Sequence, residues 1–386
     1  MRIPVEELTS LATQIFTAAG CSGEESARIA GHLIASDLAG HPSHGVVRVR
    51  NYVDWLLGGA VVAGRTVEMI SENDTLAVVD GGYGFGQTVG SQAVRIGLAI
   101  AERSGVSVVA LRNSGHLGRI ADWAEAAADA GYVSIHFVNV AGAPLVAPFG
   151  GKERRFGTDP IAIGIPQTDR PPILIDFATS VVAEGKAKVA LNGGAPVPDN
   201  ALVGPDGQIT GDTSVLYGES EPGVNPNPRN GPGALRAMGE QKGSALALAC
   251  ELLAGVLTGS ATSGSESFSN GMLSIYLSPD HFAAPAFTAT ATEFADHVRA
   301  AAPAEPGMPV QVPGDIERAK ADEQQRNGVD LAEGTSGRVG HGPGAPGCDT
   351  RGGRFVVSVQ PGRDHGSRRI RFRLCRGLDG KRPWAC

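Results

Sequence analysis

Residues 37–52 read DLAGHPSHGVVRVRNY. A helix should close near Gly40. A polar loop should then carry His41, Ser43 and His44, and a second helix should follow with Val46, Val49, Val53 and Leu56 as its apolar stripe. Ser43 stands where an N-cap is expected. His44, Arg48 and Tyr52 recur every four residues, which in a helix puts Arg48 and Tyr52 on one face with His44 at its N-terminal edge. An imidazole, a guanidinium and a phenol grouped in this way suit a small carboxylate that carries an oxygen on its next carbon. The plainer account is a solvated helix face behind a capping loop.

A second stretch weighs against the plainer account. Residues 112–120 read RNSGHLGRI. They follow a β-branched run, 106–111, that reads as a buried strand, and they precede an amphipathic helix over 119–130. His116 therefore falls in a strand-to-helix loop between two glycines, where side chains serve ligands more often than cores. A histidine in such a place can take or give a proton near neutral pH.

The whole chain bounds the possibilities. Its 386 residues, 42% apolar and 19% charged, can bury a sizeable core in one large or two ordinary domains. No apolar run reaches the length of a membrane span, since 246–257 is short and contains Glu251. The N-terminus reads as an amphipathic helix rather than a signal peptide. The five cysteines, at 21, 250, 348, 375 and 386, show no metal spacing and no disulfide framework, so a cytoplasmic address is expected and no metal. The net charge of −7 is uneven: residues 338–386 hold ten Arg, one Lys and three Asp, a balance of +8 that leaves the remainder at −15. An acidic body argues against nucleic acid and anionic membranes as partners.

Along the chain, 5–19 reads as a helix stopped by Gly20, and Ser22 with Glu25 as a capping box opening a helix to about Leu38. Strands are expected at 66–71 and 76–80. Residues 80–90, DGGYGFGQTVG, invite a dinucleotide-fingerprint reading, but glycines at 82, 84, 86 and 90 do not give G-x-G-x-x-G, and the next strand ends near Arg112 rather than at an acid. A tight strand-to-helix turn fits better. A helix over 93–101, strands over 106–111 and 132–139, and short strands at 161–166 and 173–177 give a β-α-β rhythm, which implies partly parallel pairing with helices on the faces. Asp176 precedes a helix beginning near Val181 and so reads as its cap. Residues 218–236, dense in Pro, Gly and Asn, read as a long surface excursion. Lys242 and Gly243 open an apolar helix over 245–257, and a lysine with backbone N–H groups at a helix N-terminus forms an anion site.

SHGVVRVRNY together with SGHLGR resembles the malate/L-lactate dehydrogenase family of the second type, distinct from the Rossmann-fold lactate and malate dehydrogenases. The resemblance continues through APFGGKERRFGTDPIAIGIP (147–166), ILIDFATSVVAEGK (173–186) and GEQKGSALALACELLAGVLTG (239–259) and ends near VPGD (312–315), covering about 330 residues. It implies an α/β fold with a three-layer mixed sheet of the sulfolactate-dehydrogenase type. It divides the chain into a helical substrate-side part, 1–70 completed by 285–335, a nucleotide-binding α/β part, 71–284, and an atypical basic tail, 336–386, expected to be disordered. It implies NAD or NADP as cofactor, contacted by Asn139, Thr158, Asp176, Phe177, Ala178, Lys242, Gly243, Pro313, Gly314 and Asp315, with Asp176 also placed to orient His116. Relatives often carry His where this chain has Gln241, and Gly where it has Ala245. A homodimer that shares its sites is implied as well.

These readings combine into hydride transfer at C2 of a small 2-hydroxy or 2-keto acid. His116 is the proton carrier, Arg48 the carboxylate clamp, and His44, Ser43 and Tyr52 position the C2 oxygen. Reduction of a cyclic imino acid is the neighbouring alternative, and a catalytically decayed binding protein the remoter one. Hydrolysis lacks a G-x-S-x-G elbow, and the histidines at 41, 44 and 116 lack the spacing of a zinc site.

Overall fold

The computed structural model describes residues 2–191, 194–218 and 227–331, and the backbone of 353–361 and 368–376. The chain divides into two units, residues 1–64 with 316–386, and 65–315. The sequence reading set these boundaries at 70/71 and 284/285.

The first unit is helical because its apolar residues recur at helical spacing. In α1 (Val5–Ala19), Leu8, Leu11, Ile15 and Phe16 are buried, and Gly20 ends the helix in the left-handed region at φ 114°. In α2 (Gly23–Leu38), Ile29, Leu33 and Ile34 face inward. The Ser22 hydroxyl caps α2 by accepting from Glu25 N at 3.2 Å, while the Glu25 carboxylate accepts from Gly64 N at 2.8 Å. Next comes α3 (Val49–Leu57), with Val49, Tyr52 and Val53 buried. The later helix Asp315–Asn327 closes onto α2 through Gln324, whose amide donates to the Asp37 and Leu38 carbonyls. A two-residue ladder pairs Arg2 with Asp330 and Ile3 with Val329.

The second unit is built on a seven-stranded mixed sheet. Its strands are β1 (Glu68–Glu72), β2 (Leu76–Asp80), β3 (Val106–Ser114), β4 (Val133–Ala141), β5 (Ile161–Ile165), β6 (Ile173–Phe177) and β7 (Ser269–Leu277), in the spatial order β1-β2-β3-β7-β4-β5-β6. Only β2 and β3 pair in parallel. The last strand in the chain, β7, lies between β3 and β4 and runs antiparallel to both. Helices α4 (Gly86–Ser104) and α5 (Ala121–Asp129) pack through Val89, Val94, Trp123 and Ala127 on one face, against Val79, Leu111, Val138 and Met272. Strand residues alternate faces. Asn139, next to Val138, therefore looks the other way, toward the wide-turned segment Glu251–Leu257 that continues α7 (Gln241–Cys250). Three layers result, and the mixed α/β fold expected from the sequence is the one observed.

A smaller four-stranded sheet, in the order Ile209–Thr210, Leu202–Val203, Ala234–Arg236 and Val146–Ala147, surrounds a second core of Leu145, Leu202, Leu216, Tyr217 and Leu235. Helix α6 (Glu184–Leu191) adds Ala187 to that core, and α8 (Phe287–Arg299) follows the large sheet. Of the expected excursion 218–236, residues 219–226 lie outside the described residues. The same holds for most of the tail expected to be disordered. Within it, Gly353–Pro361 pairs antiparallel with Arg368–Arg376.

Candidate active site

Strand directions decide which loops meet. Strands β2, β3, β4 and β6 run the same way, because each antiparallel step across β7 and β5 is undone by the next. Their carboxyl ends, and the amino ends of β5 and β7, therefore share one edge of the sheet. His116 follows β3, Asn139 closes β4, Thr158 precedes β5, and Asp176, Phe177 and Ala178 leave β6, so the structure gathers all of them at that edge. In open α/β sheets this is where ligands lie.

The His116 loop is held on both sides of the histidine. Gly115 N donates to the Gly84 carbonyl at 2.8 Å. The Gln87 amide donates to the His116 carbonyl at 3.3 Å, and Leu117 N to the Asn270 Oδ1 at 2.9 Å. Ala121 N, at the start of α5, donates to the Asp176 Oδ2 at 2.9 Å. Asp176 thus caps α5, not the helix that follows it in sequence, and fixes the far end of the loop that carries His116. Residues 115, 117 and 118 are buried while His116 itself is half-buried, so the loop presents one side chain from an anchored backbone. The turn over residues 80–86 completes the support. The Asp80 carboxylate accepts from Gly82 N, Arg112 Nε and Asn113 Nδ2, all within 2.9 Å, and these donors hold its pKa below the ordinary carboxylate value against the opposing effect of burial. Gly86 lies so close to this loop that a Cβ there would sit 2.3 Å from the His116 carbonyl oxygen.

Several side chains assigned to the cofactor are occupied by the protein. Asn139 is fully buried; its amide donates to Glu251 and to the Ala261 carbonyl and accepts from Gly271 N. Asp315 forks onto Arg299 with two bonds of 2.9 Å and accepts from Val312 N. The Pro313 carbonyl accepts from Leu174 N, docking the 312–315 turn on β6, with Gly314 at φ 97°. Thr158 lends its carbonyl to Thr179 N, and Thr179 lends its own to Met238 N, a chain that leads to α7. At the start of α7 a Cβ on Gly243 would meet the Met238 carbonyl at 2.3 Å, so this glycine permits close packing. The N–H groups of Lys242, Gly243 and Ser244 donate to Gly239, Met238 and Glu240, so the expected anion site rests on the exposed Lys242 ammonium and the helix dipole rather than on these amides. Ala245 is exposed, and its methyl crowds no backbone. A cavity of about 300 Å³ flanks this helix start, lined by Phe149, Lys152, Ile209, Arg236 and Glu240. Its Lys152 donates to the Pro205 carbonyl and its Arg236 to Glu240 and the Asn200 carbonyl.

In the helical unit the expected continuous helix from Ser43 gives way to two 3₁₀ turns, Pro42–His44 and Val46–Arg48, before α3. The Ser43 hydroxyl lies 3.1 Å from His44 Nδ1 instead of capping, and Arg48 Nε donates to the Ser43 carbonyl at 2.6 Å. Ser43, His44 and Arg48 are thus joined and half-buried. Tyr52 belongs to the core: it is 1% exposed, 5.6 Å from the ring of Trp55 and 6.4 Å from that of Phe16. His41 Nε2 lies 3.6 Å from the Glu317 carboxylate. Among the described residues no group of three or more His, Cys, Asp or Glu could hold a metal ion.

Residues 3–339 match the family model described as malate/L-lactate dehydrogenase. The chain belongs to this family. It is 36% identical over 341 residues to hydroxycarboxylate dehydrogenase B of Escherichia coli K12, covering 86% of this chain and 91% of that one. It is 32% identical over 344 residues to a Δ1-pyrroline-2-carboxylate/Δ1-piperideine-2-carboxylate reductase of Pseudomonas putida, covering 86% and 94%. The sulfolactate dehydrogenase structure from Methanocaldococcus jannaschii superposes with a TM-score of 0.75 at 28% identity, over 88% of this chain and 95% of that one. Membership in the malate/L-lactate dehydrogenase family makes the protein an oxidoreductase of the hydroxycarboxylate dehydrogenase kind.

Sequence reasoning missed Gln87, Asn270 and Asp37. Gln87 and Asn270 are polar residues without periodicity, and only tertiary contact reveals their place. Asp37 did leave a signal. It lies in the last turn of α2, where the helix dipole disfavours an acid, so something other than the helix had to account for it. Val46 N donates to its Oδ2 at 2.8 Å.

Proposed function

We propose that the protein catalyses reversible hydride transfer between NAD or NADP and C2 of a small 2-hydroxy/2-keto acid of the malate or lactate type. The single observation carrying this is His116, half-buried in a loop pinned at Gly115, Leu117 and Ala121 on the carboxyl edge of the sheet. The residues present fit a dinucleotide: Lys242 is exposed at a helix start to meet a phosphate, and Thr158, Phe177 and Ala178 lie at the carboxyl edge. When bound, the nicotinamide takes or gives the hydride. The committed side chains of Asn139, Asp176 and Asp315 support this surface from behind.

In the oxidising direction His116 accepts the hydroxyl proton as the C2–H bond breaks and C=O forms; in the reducing direction it returns the proton. Arg48 holds the substrate carboxylate, its guanidinium oriented by the bond from Nε to the Ser43 carbonyl. Ser43 and His44 orient the C2 oxygen. Tyr52, placed in the core, supports α3 behind them. The similarity to the Pseudomonas putida reductase favours a cyclic imino acid as the second substrate reading, with the same histidine supplying the proton. A homodimer is part of the proposal. So is a cytoplasmic address, which the buried free thiols of Cys21 and Cys250 support.

Titration with NADH and NADPH, followed by reduction assays on oxaloacetate, pyruvate and a cyclic imino acid, tests the reading. Saturable binding with turnover on one of them is expected, and a His116→Ala variant should lose ~10²–10⁴-fold in kcat while nucleotide affinity stays unchanged. Binding without turnover in the wild-type chain would favour a decayed, ligand-binding relative. A His116→Ala variant with full kcat would remove the histidine from its role.

A further inference from the structure

The segment bearing Ser43, His44 and Arg48 has an unusual support. Between His44 and Arg48 the chain leaves one 3₁₀ turn and enters another; Gly45 N donates to the Pro42 carbonyl and Arg48 N to the Gly45 carbonyl, which leaves the junction at Val46 N outside both ladders. What it has is a carboxylate from the preceding helix. Asp37, 4% exposed, accepts from Val46 N at 2.8 Å, and Val46 opens the turn that ends in Arg48. Gly45 lies flat against the same carboxylate: a Cβ there would fall 1.9 Å from Oδ1 and 2.4 Å from Oδ2. The far side of Asp37 is fixed too. Its carbonyl accepts from Gln324 Nε2 at 2.7 Å, and Gln324, itself 4% exposed, also takes a bond from Asp330 N.

We propose that Asp37 is a positioning residue for substrate binding, acting through the Val46 N–H to hold Arg48 in register with Ser43 and His44. This rests on the assignment of Arg48 to the substrate carboxylate. The argument is geometric. Asp37 reaches one backbone donor, that donor lies midway between His44 and Arg48, and the only residue between it and His44 is a glycine that lets the carboxylate approach. Arg48 Nε is already tied to the Ser43 carbonyl at 2.6 Å, so the distance from Ser43 to Arg48 along the backbone sets where the guanidinium sits. Losing the anchor at Val46 lets that distance drift, and a drift of ~1 Å at a clamping residue costs on the order of 10²-fold. The loss falls on the acid and not on the nucleotide, because Ser43, His44 and Arg48 are the residues assigned to the acid.

The test uses the full chain with three variants. Asp37→Ala removes the acceptor. Gly45→Ala leaves Asp37 in place but drives a methyl into its carboxylate. Asp37→Asn keeps an acceptor oxygen of the same shape. Steady-state kinetics on the acid are read beside nucleotide Kd and backbone amide exchange over residues 41–48. Asp37→Ala and Gly45→Ala should each raise KM for the acid about 10- to 100-fold. Both should leave nucleotide Kd within about twofold, speed exchange at Val46, and lower kcat/KM for the acid with KM carrying the larger share. Asp37→Asn should restore KM to within about threefold of wild type. Unchanged KM in Asp37→Ala or Gly45→Ala overturns the proposal, and so does an Asp37→Asn variant as impaired as Asp37→Ala. If Asp37→Ala does not fold, the Gly45→Ala and Asp37→Asn pair decides alone. An Arg48→Ala control separates the two levels: unchanged KM there overturns the role of Arg48 itself, whereas a raised KM there with normal Asp37→Ala and Gly45→Ala variants overturns only the latch.

Discussion

Two buried carboxyls show how a single residue ties stability to pH. Asp159 is fully buried on the turn entering β5. Its Oδ1 accepts from Val140 N at 3.2 Å, and its Oδ2 has no hydrogen-bond partner among the described residues. Burial, with Glu251 nearby adding repulsion, drives its pKa well above the carboxylate value. A carboxyl whose folded pKa is raised binds its proton more tightly folded than unfolded. The stability it contributes is therefore full at low pH and is lost as pH climbs from the unfolded value toward the folded one. Asp159→Asn, which removes the charge and keeps the shape, should match wild-type stability below about pH 4 and gain on it as pH climbs from there toward the raised folded pKa, as thermal unfolding at several pH values would show. Asp37 follows the same sign, its contribution being lost as pH climbs from the ordinary 3.8 to about 7, since burial lifts it there against the lowering effect of the Val46 N–H.

At the scale of elements, the regular runs were legible and the junctions were not. The strand starting at Val106 could be read because β-branched residues there alternate between two covered faces; α1 and α2 because their apolar residues fall at helical spacing and Gly20 and Ser22 punctuate them. The four-residue recurrence of His44, Arg48 and Tyr52 reads as one helix face, but spacing becomes direction only inside a continuous helix. Two 3₁₀ turns advance the chain by a different angle per residue, which leaves Tyr52 in the core and Arg48 beside Ser43. The reading of residues 80–90 as a tight turn instead of a nucleotide fingerprint agrees with the turn observed, although its closeness to the His116 loop has no sequence signal. That closeness makes Gly86→Ala informative. The added methyl must displace the His116 carbonyl, which it would meet at 2.3 Å. A fall in kcat of ~10²-fold with little change in KM for the acid is expected, since a misplacement of about 1 Å at the proton carrier suffices for that loss. Steady-state kinetics check it.

For the molecule as a whole, the sequence made family and fold class plain and left assembly open. Leu248, Leu252 and Val256 recur every four residues along 241–257 and stand 49%, 51% and 56% exposed, an apolar row of a kind that partner surfaces commonly cover. This supports the proposed homodimer, for which light scattering should return a mass twice the chain's 39.6 kDa. A value of one chain mass at micromolar concentration would remove the dimer from the proposal. Which loops meet at the carboxyl edge was not legible, because that depends on β7 pairing with β3 and β4 across more than a hundred residues of intervening chain, and local pattern carries no record of such pairing.

The position of β7 also sets a timetable for synthesis. Strands β3 and β4 leave the ribosome with the place between them vacant, and their middle neighbour, Ser269–Leu277, follows only after the small sheet and α7 have been made. At bacterial or eukaryotic elongation rates that is a wait on the order of ten seconds. Throughout it two apolar strands show bare edges, the feature that invites pairing with another nascent chain. The helical unit waits longer still, since Arg2 and Ile3 pair with residues 329–330. Residues 2 and 3 are thus made more than three hundred positions before the residues they pair with.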